Sequence, residues 1–134
     1  MEYEERKILR VFSIKFNPGD KIIGSLENFV REKDIRTGVV LYQGAFSEGN
    51  LVLGFRKYSK GSLDFDRVSF HKTLEVIGLG SISWVKNKPK IHLHVGGARE
   101  REVFIAHIDE ANVKGLELFV IELSGGDFAS VALV

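Results

Sequence analysis

In the segment Ile91-His92-Leu93-His94-Val95, apolar residues alternate strictly with histidines. This period of two is typical of a β-strand, in which residues i and i+2 lie on the same face. The pattern predicts a strand whose three apolar residues face the core. Both histidines then share the opposite face.

A third histidine, His107, follows in the next apolar segment, residues 104–108. If residues 101–108 form the neighbouring antiparallel strand, His107 brings a third imidazole to the face of His92 and His94. Three neutral imidazoles hold zinc with one coordination position left open. The alternative interpretation is two solvent-exposed histidines and one unrelated one, because His-x-His alone is a weak motif.

The rest of the chain predicts one helix and many short strands. Apolar residues recur with helical spacing over residues 21–33, and Asp20 is placed to be the N-cap. Alternating or apolar segments predict strands at 8–16, 38–46, 51–57, 65–71, 74–83, 90–95, 101–108, 116–123 and 128–133. Turn-forming residues cluster at 47–50, 86–89, 112–115 and 124–127. We therefore expect an α+β fold in which one amphipathic helix packs on a largely antiparallel sheet. The sequence leaves undecided whether this sheet closes into a barrel-like form.

Composition limits the class of protein. A chain of 134 residues with 44% apolar and 28% charged residues predicts a single globular domain, residues 1–134. No run of apolar residues is long enough for a membrane span, and the charged N-terminus lacks a signal-peptide core, so we expect a cytoplasmic protein without a membrane partner. With no cysteine, a metal would be held by His, Asp or Glu. The net charge of +1 gives DNA binding no support.

Three blocks of the sequence resemble the plant-and-prokaryote conserved (PPC) domain. They are residues 36–47 (RTGVVLYQGAFS), 74–82 (LEVIGLGSI) and 91–95 (IHLHV). The resemblance covers nearly the whole chain. It implies a compact α/β fold that assembles as a homotrimer, and a β-rich chain must also cover its sheet edges. Plant members carry AT-hooks and bind DNA as nuclear regulators, whereas prokaryotic members are stand-alone domains.

The same resemblance bears on the histidines and on DNA. In prokaryotic members a Gly-Gly-His element follows His-x-His, and His107 stands at its last position with Ile105 and Ala106 in place of the glycines. The resemblance and the strand pattern therefore both place the same three histidines in one site. An AT-hook needs an Arg-Gly-Arg-Pro core, which this chain lacks, so the DNA function of the plant members does not transfer directly.

Glu75 is a further candidate, because it lies on the same predicted strand face as Ile77 and Leu79. A buried carboxylate requires a partner. The resemblance places an acidic residue in this block, and Glu75 could accept a hydrogen from the second ring nitrogen of a histidine and so orient a metal ligand. An ion pair with a nearby lysine or arginine is the equal alternative.

Other motifs are less informative. Gly44, Gly78 and Gly80 interrupt strands, which indicates either strong curvature or a close approach of a ligand or subunit. Lys86, Lys88 and Lys90 beside Trp84 are more typical of a solvated turn than of a phosphate-binding patch, 124–127 is more typical of a hairpin turn than of a phosphate loop, and His71 has no evident partner.

Three functions follow as hypotheses. The first is a non-catalytic homotrimeric module that binds a divalent metal, most simply zinc, through His92, His94 and His107, with an unknown small ligand. The second is a DNA-binding regulatory protein. The third is a metal-dependent hydrolase or lyase in which the open position activates water and Glu75 moves protons; no further catalytic constellation in the sequence supports it.

Overall fold

The structure, a computed structural model, describes residues 1–59 and 62–126. Its elements follow in the order β1 (Ile8–Ile14), α1 (Ile22–Lys33), β2 (Gly38–Ser59), β3 (Ser62–Phe70), β4 (Leu74–Val85), β5 (Lys88–Arg99) and β6 (Glu102–Leu123). The predicted strand at 128–133 lies outside the described residues. Within the described ranges, no helix is long and apolar enough to cross a membrane.

All strand pairs are antiparallel, and the sheet bends back on itself. The strand order is β1-β6-β5-β4-β2-β3, and β6 pairs with β2 as well. Four strands, β2, β4, β5 and β6, are therefore linked in a ring by their pairings. The predicted α+β fold with a largely antiparallel sheet is confirmed, and the closure is partly ring-like.

Two of the predicted turns are wrong. Residues 47–50 lie inside β2 and residues 112–115 lie inside β6, so each pair of short predicted strands is one strand of 22 residues. The β2–β6 register shifts at three places, between Ala45 and Phe46, between Phe46 and Glu48, and between Asn50 and Leu51. Bulges of this kind accommodate extra residues and bend a strand without ending it. The turn predicted at 86–89 is confirmed at Lys86 and Asn87, which have positive φ and join β4 to β5, whereas residues 88–89 already belong to β5.

Helix α1 covers the core with its apolar side. Ile22, Leu26 and Val30 are fully buried, at the spacing of one helix face. In β5 the inward residues Ile91, Leu93 and Val95 are buried as predicted. The alternation of β5 therefore leaves its histidines on the outer side of the sheet.

The helix N-terminus is capped from a distant strand. Asp20 is not the N-cap; α1 begins after Lys21, which makes no side-chain cap, and the Asp20 carboxylate accepts from the Asn17 N–H instead. The Glu110 carboxylate on β6 accepts from the N–H groups of Ile23 and Gly24, at 2.8 and 3.1 Å. A tertiary contact thus satisfies the free N–H groups that a local cap would otherwise bind.

We expect Glu110→Ala to lower the free energy of unfolding by about 1–3 kcal/mol, because it leaves part-buried N–H groups of α1 without an acceptor. Urea denaturation of the parent and variant measures this difference. Asp20→Ala, which removes only a turn contact, is the control and should cost less. Equal losses for both variants would contradict the assignment of Glu110 as the cap.

Candidate metal centre

The three histidines predicted from the sequence come together on the outer side of the sheet. His94 on β5 lies directly opposite His107 on β6 in the strand register, and His92 is two residues from His94 on the same face. The ring centroids are separated by 5.0 Å (His92–His94), 5.1 Å (His92–His107) and 5.7 Å (His94–His107). One nitrogen from each ring can be chosen so that all three lie within 4.8 Å of one another.

Two ring nitrogens of this cluster, Nε2 of His92 and Nδ1 of His107, are buried and have no hydrogen-bond partner among the described residues. A buried polar atom left unpaired is costly and uncommon in native proteins. A metal ion bound by the cluster would satisfy such lone pairs, and with no cysteine available imidazole is the donor that suits zinc. The residues present therefore fit a divalent metal.

The electrostatic environment keeps two of the rings neutral. Burial is the main cause that lowers the pKa of both His92 and His107, and a neighbouring imidazole lowers each further. The carboxylate of Asp109 acts in the opposite direction on the pKa of His107, without reversing the shift. Neutral imidazole is the form that binds metals, so both rings are in the binding form at neutral pH.

The lowered pKa values predict how the metal-free protein responds to acid. Between the lowered values and the ordinary histidine pKa of about 6.5, the unfolded chain binds more protons than the folded chain. The free energy of unfolding should therefore be unaffected by these groups above pH 6.5 and fall as the pH drops below it. Urea denaturation in a chelator at about pH 7.5 and 5.5 measures this fall. The double variant His92→Gln, His107→Gln should show a smaller fall, and an unchanged one would contradict the prediction.

A carboxylate and an arginine that the sequence did not single out lie beside His107. Oδ1 of Asp109 is 3.6 Å from Nε2 of His107, and the other oxygen, Oδ2, accepts a hydrogen bond from Nη1 of Arg67. Asp109 follows His107 by two residues on β6 and Arg67 lies on β3, 42 residues away in sequence. The i, i+2 spacing of His107 and Asp109 was the available signal for the carboxylate; nothing local indicated Arg67.

A tyrosine side chain that packs over Gly78 forms a hydrogen bond with the strand that carries His94. The buried Tyr42 on β2 donates its hydroxyl hydrogen to the backbone carbonyl of His94, at 2.6 Å. A Cβ on Gly78 would come within 2.2 Å of the Tyr42 ring, so only glycine leaves room for it. Burial raises the pKa of Tyr42, which keeps the donor protonated. For Gly78, the close approach expected from the sequence is thus made by a side chain of the same chain.

Glu75 is on the same face as Ile77 and Leu79, as predicted, but this face is on the outside of the chain. Ile77 and Leu79 are 66% and 60% exposed, and Glu75 is exposed too. The register partner of His94 is Leu79, four residues along β4 from Glu75, which is about 13 Å at the rise of a strand. The structure therefore does not bring Glu75 into the histidine cluster, and burial does not require a partner for it.

His94 also borders an apolar surface. It is exposed and lines an open groove of about 620 Å³. We call the apolar side chains of this groove the apolar face; they are Leu41, Ile77, Leu79, Ile105 and Phe119. All five are exposed on the chain, Ile105 by 76%. A surface of this kind is typical of an interaction site.

The remaining candidates lie elsewhere. Trp84 donates its ring N–H to the carbonyl of Ile35 and stacks against Arg36, whose guanidinium carbon is 4.1 Å from the ring centroid. Its contacts are thus structural ones with the segment that leads into β2. His71 is exposed, with its Nδ1 3.7 Å from a carboxylate oxygen of Glu48.

Fold and cluster together define a small α+β protein with a candidate metal centre of three histidines. Residues 3–124 match the family model of the Plants and Prokaryotes Conserved (PCC) domain. The chain belongs to this family, as the resemblance predicted. No curated protein sequence matches the chain significantly.

Solved structures with the same fold come from archaea and bacteria. A metal-containing protein of Archaeoglobus fulgidus is 25% identical, covers 94% of this chain and 88% of its own, and has a TM-score of 0.82. A plant- and prokaryote-conserved protein of Pyrococcus horikoshii is 20% identical over 95% of this chain and 87% of its own, also with a TM-score of 0.82, and shows the fold alone. A candidate DNA-binding protein of Bacteroides thetaiotaomicron is 25% identical over 87% of this chain and 80% of its own, with a TM-score of 0.73.

Proposed function

We propose that the protein is a homotrimeric binding module that holds a divalent metal, zinc, through His92, His94 and His107. The observation that carries this proposal is a cluster of three imidazoles in which two buried ring nitrogens find no hydrogen-bond partner among the residues that the structure describes. The metal-containing relative from Archaeoglobus fulgidus, of the same fold, supports it.

Three imidazoles leave one position of a tetrahedral zinc ion free. His94 is the exposed member of the cluster and lines the groove of the apolar face. An outside donor that reaches the metal from this groove would also contact apolar side chains. The site thus suits a small ligand with one metal-binding group on an apolar body.

The trimer is implied by the family resemblance and supported by the apolar face. This face extends over three strands of the ring, β2, β4 and β6, and His94 on β5 borders it. Covering it with a second copy of the chain would remove a large apolar surface from water, which is the main favourable term in subunit association.

Metal content is the direct test of this proposal. The protein is purified without chelator, its metals are measured by elemental analysis, and the metal-free form is titrated with zinc. We expect one zinc per chain. A protein that contains no metal and binds none when zinc is supplied would refute the proposal.

A second candidate function, DNA binding, rests on the relative from Bacteroides thetaiotaomicron. The 19 lysines and arginines are balanced by 18 aspartates and glutamates, so the chain has almost no excess of positive charge to attract phosphates. We expect binding no tighter than about 10⁻⁴–10⁻⁶ M at physiological salt, without preference for sequence. Titration of AT-rich and scrambled duplexes measures this. A dissociation constant below about 10⁻⁸ M with discrimination between the two would make DNA recognition the primary function.

A further inference from the structure

We propose that Asp109, held by Arg67, is the positioning residue of the histidine site: it fixes His107 as the tautomer that carries its hydrogen on Nε2 and presents the lone pair of Nδ1 to the metal. This inference rests on the proposed metal site and adds the residues that prepare one of its ligands.

The two nitrogens of His107 have different surroundings. Nε2 faces the carboxylate of Asp109 at 3.6 Å, whereas Nδ1 is buried and has no hydrogen-bond partner within residues 1–59 and 62–126. The Nδ1 and Nε2 atoms of an imidazole point in different directions. Asp109, which faces Nε2, therefore leaves the lone pair of Nδ1 free. A separation of 3.6 Å is longer than a hydrogen bond, so the imidazole and the carboxylate would have to approach by at least about 0.4 Å to reach the usual 2.7–3.2 Å.

An ionised carboxylate can only accept hydrogen bonds. A neutral imidazole has one N–H, so the nitrogen that faces Asp109 must carry it. Nδ1 is then left with its lone pair, which is the state a metal requires. Carboxylates that accept from the second nitrogen of a ligand histidine fix its orientation and make it a better donor.

Arg67 determines which oxygen of Asp109 is available. Its Nη1 donates to Oδ2, which leaves Oδ1 for His107. The strand register explains the contact, because Val52 on β2 is the partner of both Arg67 on β3 and His107 on β6. Arg67, Val52 and His107 therefore lie in one row across the three strands, and Asp109 is two residues along β6 from this row, close to both Arg67 and His107.

The arrangement makes an unusual prediction for Asp109→Asn. Arg67 can donate only to the amide oxygen of the new side chain, so the amide NH₂ turns toward His107. Nε2 must then accept, and the hydrogen moves to Nδ1, the atom that should bind the metal. Asp109→Ala removes the carboxylate but imposes no tautomer. We therefore expect zinc affinity to fall by about 10–100-fold in Asp109→Ala. It should fall further in Asp109→Asn, although asparagine is closer to aspartate in shape, because the amide imposes the tautomer that cannot bind the metal.

Two readouts test the inference. Zinc affinity is measured by competition with a chelator, and the tautomer of His107 is read from ¹⁵N NMR of histidine-labelled, metal-free protein at about pH 7.5. We expect Nε2–H in the parent, a mixture in Asp109→Ala and Nδ1–H in Asp109→Asn. Adding Arg67→Ala to Asp109→Asn frees the amide to rotate, and zinc affinity should recover toward that of Asp109→Ala.

Glu75→Gln is the matched control, since it neutralises a carboxylate on the same face about 13 Å along the sheet from His94. It should leave both the tautomer and the affinity unchanged. If Asp109→Asn binds zinc as tightly as the parent with His107 still protonated on Nε2, the positioning role of Asp109 is refuted, while the metal site stands. If the parent itself binds no zinc, the proposed function fails first.

Discussion

His92→Ala and His94→Ala should each abolish stable zinc binding. Changing a residue that only orients a ligand costs about 10–100-fold in metal affinity, and removal of one of three ligands should cost far more. In the part of the chain that the structure describes, the cluster consists of His92, His94 and His107, so no fourth ligand stands ready to replace the one removed. Isothermal titration with zinc, after complete removal of metal, measures the loss.

The control is His71→Ala, which removes an exposed histidine whose Nδ1 lies 3.7 Å from Glu48 and which is absent from the cluster. It should bind zinc as the parent does. Because the histidines lie on the outer side of the sheet, all three variants should fold, and circular dichroism verifies this. If the three variants retain the metal content of the parent, the histidine cluster has another role.

Ile105→Glu should convert the proposed trimer into monomers. Ile105 is 76% exposed on the isolated chain and lies in the apolar face, so the new carboxylate would be buried only if subunits associate there. Burial of an unpaired charge costs several kcal/mol, and each trimer would carry three copies. Light scattering at micromolar concentration should show the mass of a trimer for the parent and of a monomer for the variant.

Val85→Glu provides a control at the β4–β5 hairpin, at a side chain that is 51% exposed and lies outside the apolar face. It should leave the trimer intact. A parent that is monomeric or a stable dimer would refute the trimer. A trimeric Ile105→Glu variant would show that subunits associate through another surface.

The sequence predicted the parts of the site that depend on local pattern. Alternation over 91–95 correctly separated the buried Ile91, Leu93 and Val95 from His92 and His94 on the outer face. Alternation along β4 could not show that Ile77 and Leu79 lie on the outside of the chain. An apolar strand face can be covered by the core of its own chain or by another subunit, and both cases select the same apolar residues.

What the sequence missed depends on contacts between distant strands. Arg67 meets Asp109 and Tyr42 meets the carbonyl of His94, across separations of 42 and 52 residues. Strand ends were missed for the same reason. The turn-forming residues at 47–50 and 112–115 lie in bulged strands because β2 and β6 continue to pair with each other there.

The ring of strand pairings has a consequence for how the protein folds. Its closure joins β2 to β6, so Gly38 pairs with Glu122, which lies 84 residues further along the chain. Pairings between such distant segments are slow, because the entropy of the intervening loop is lost before the contact forms. The three histidines, in contrast, meet through the local pairing of β5 with β6, in which His107 lies opposite His94 only 13 residues away, so the cluster can form before the ring closes. Uptake of zinc during refolding should therefore precede ring closure, and a metal-sensitive dye would report the formation of the β5–β6 pair rather than the final stage of folding.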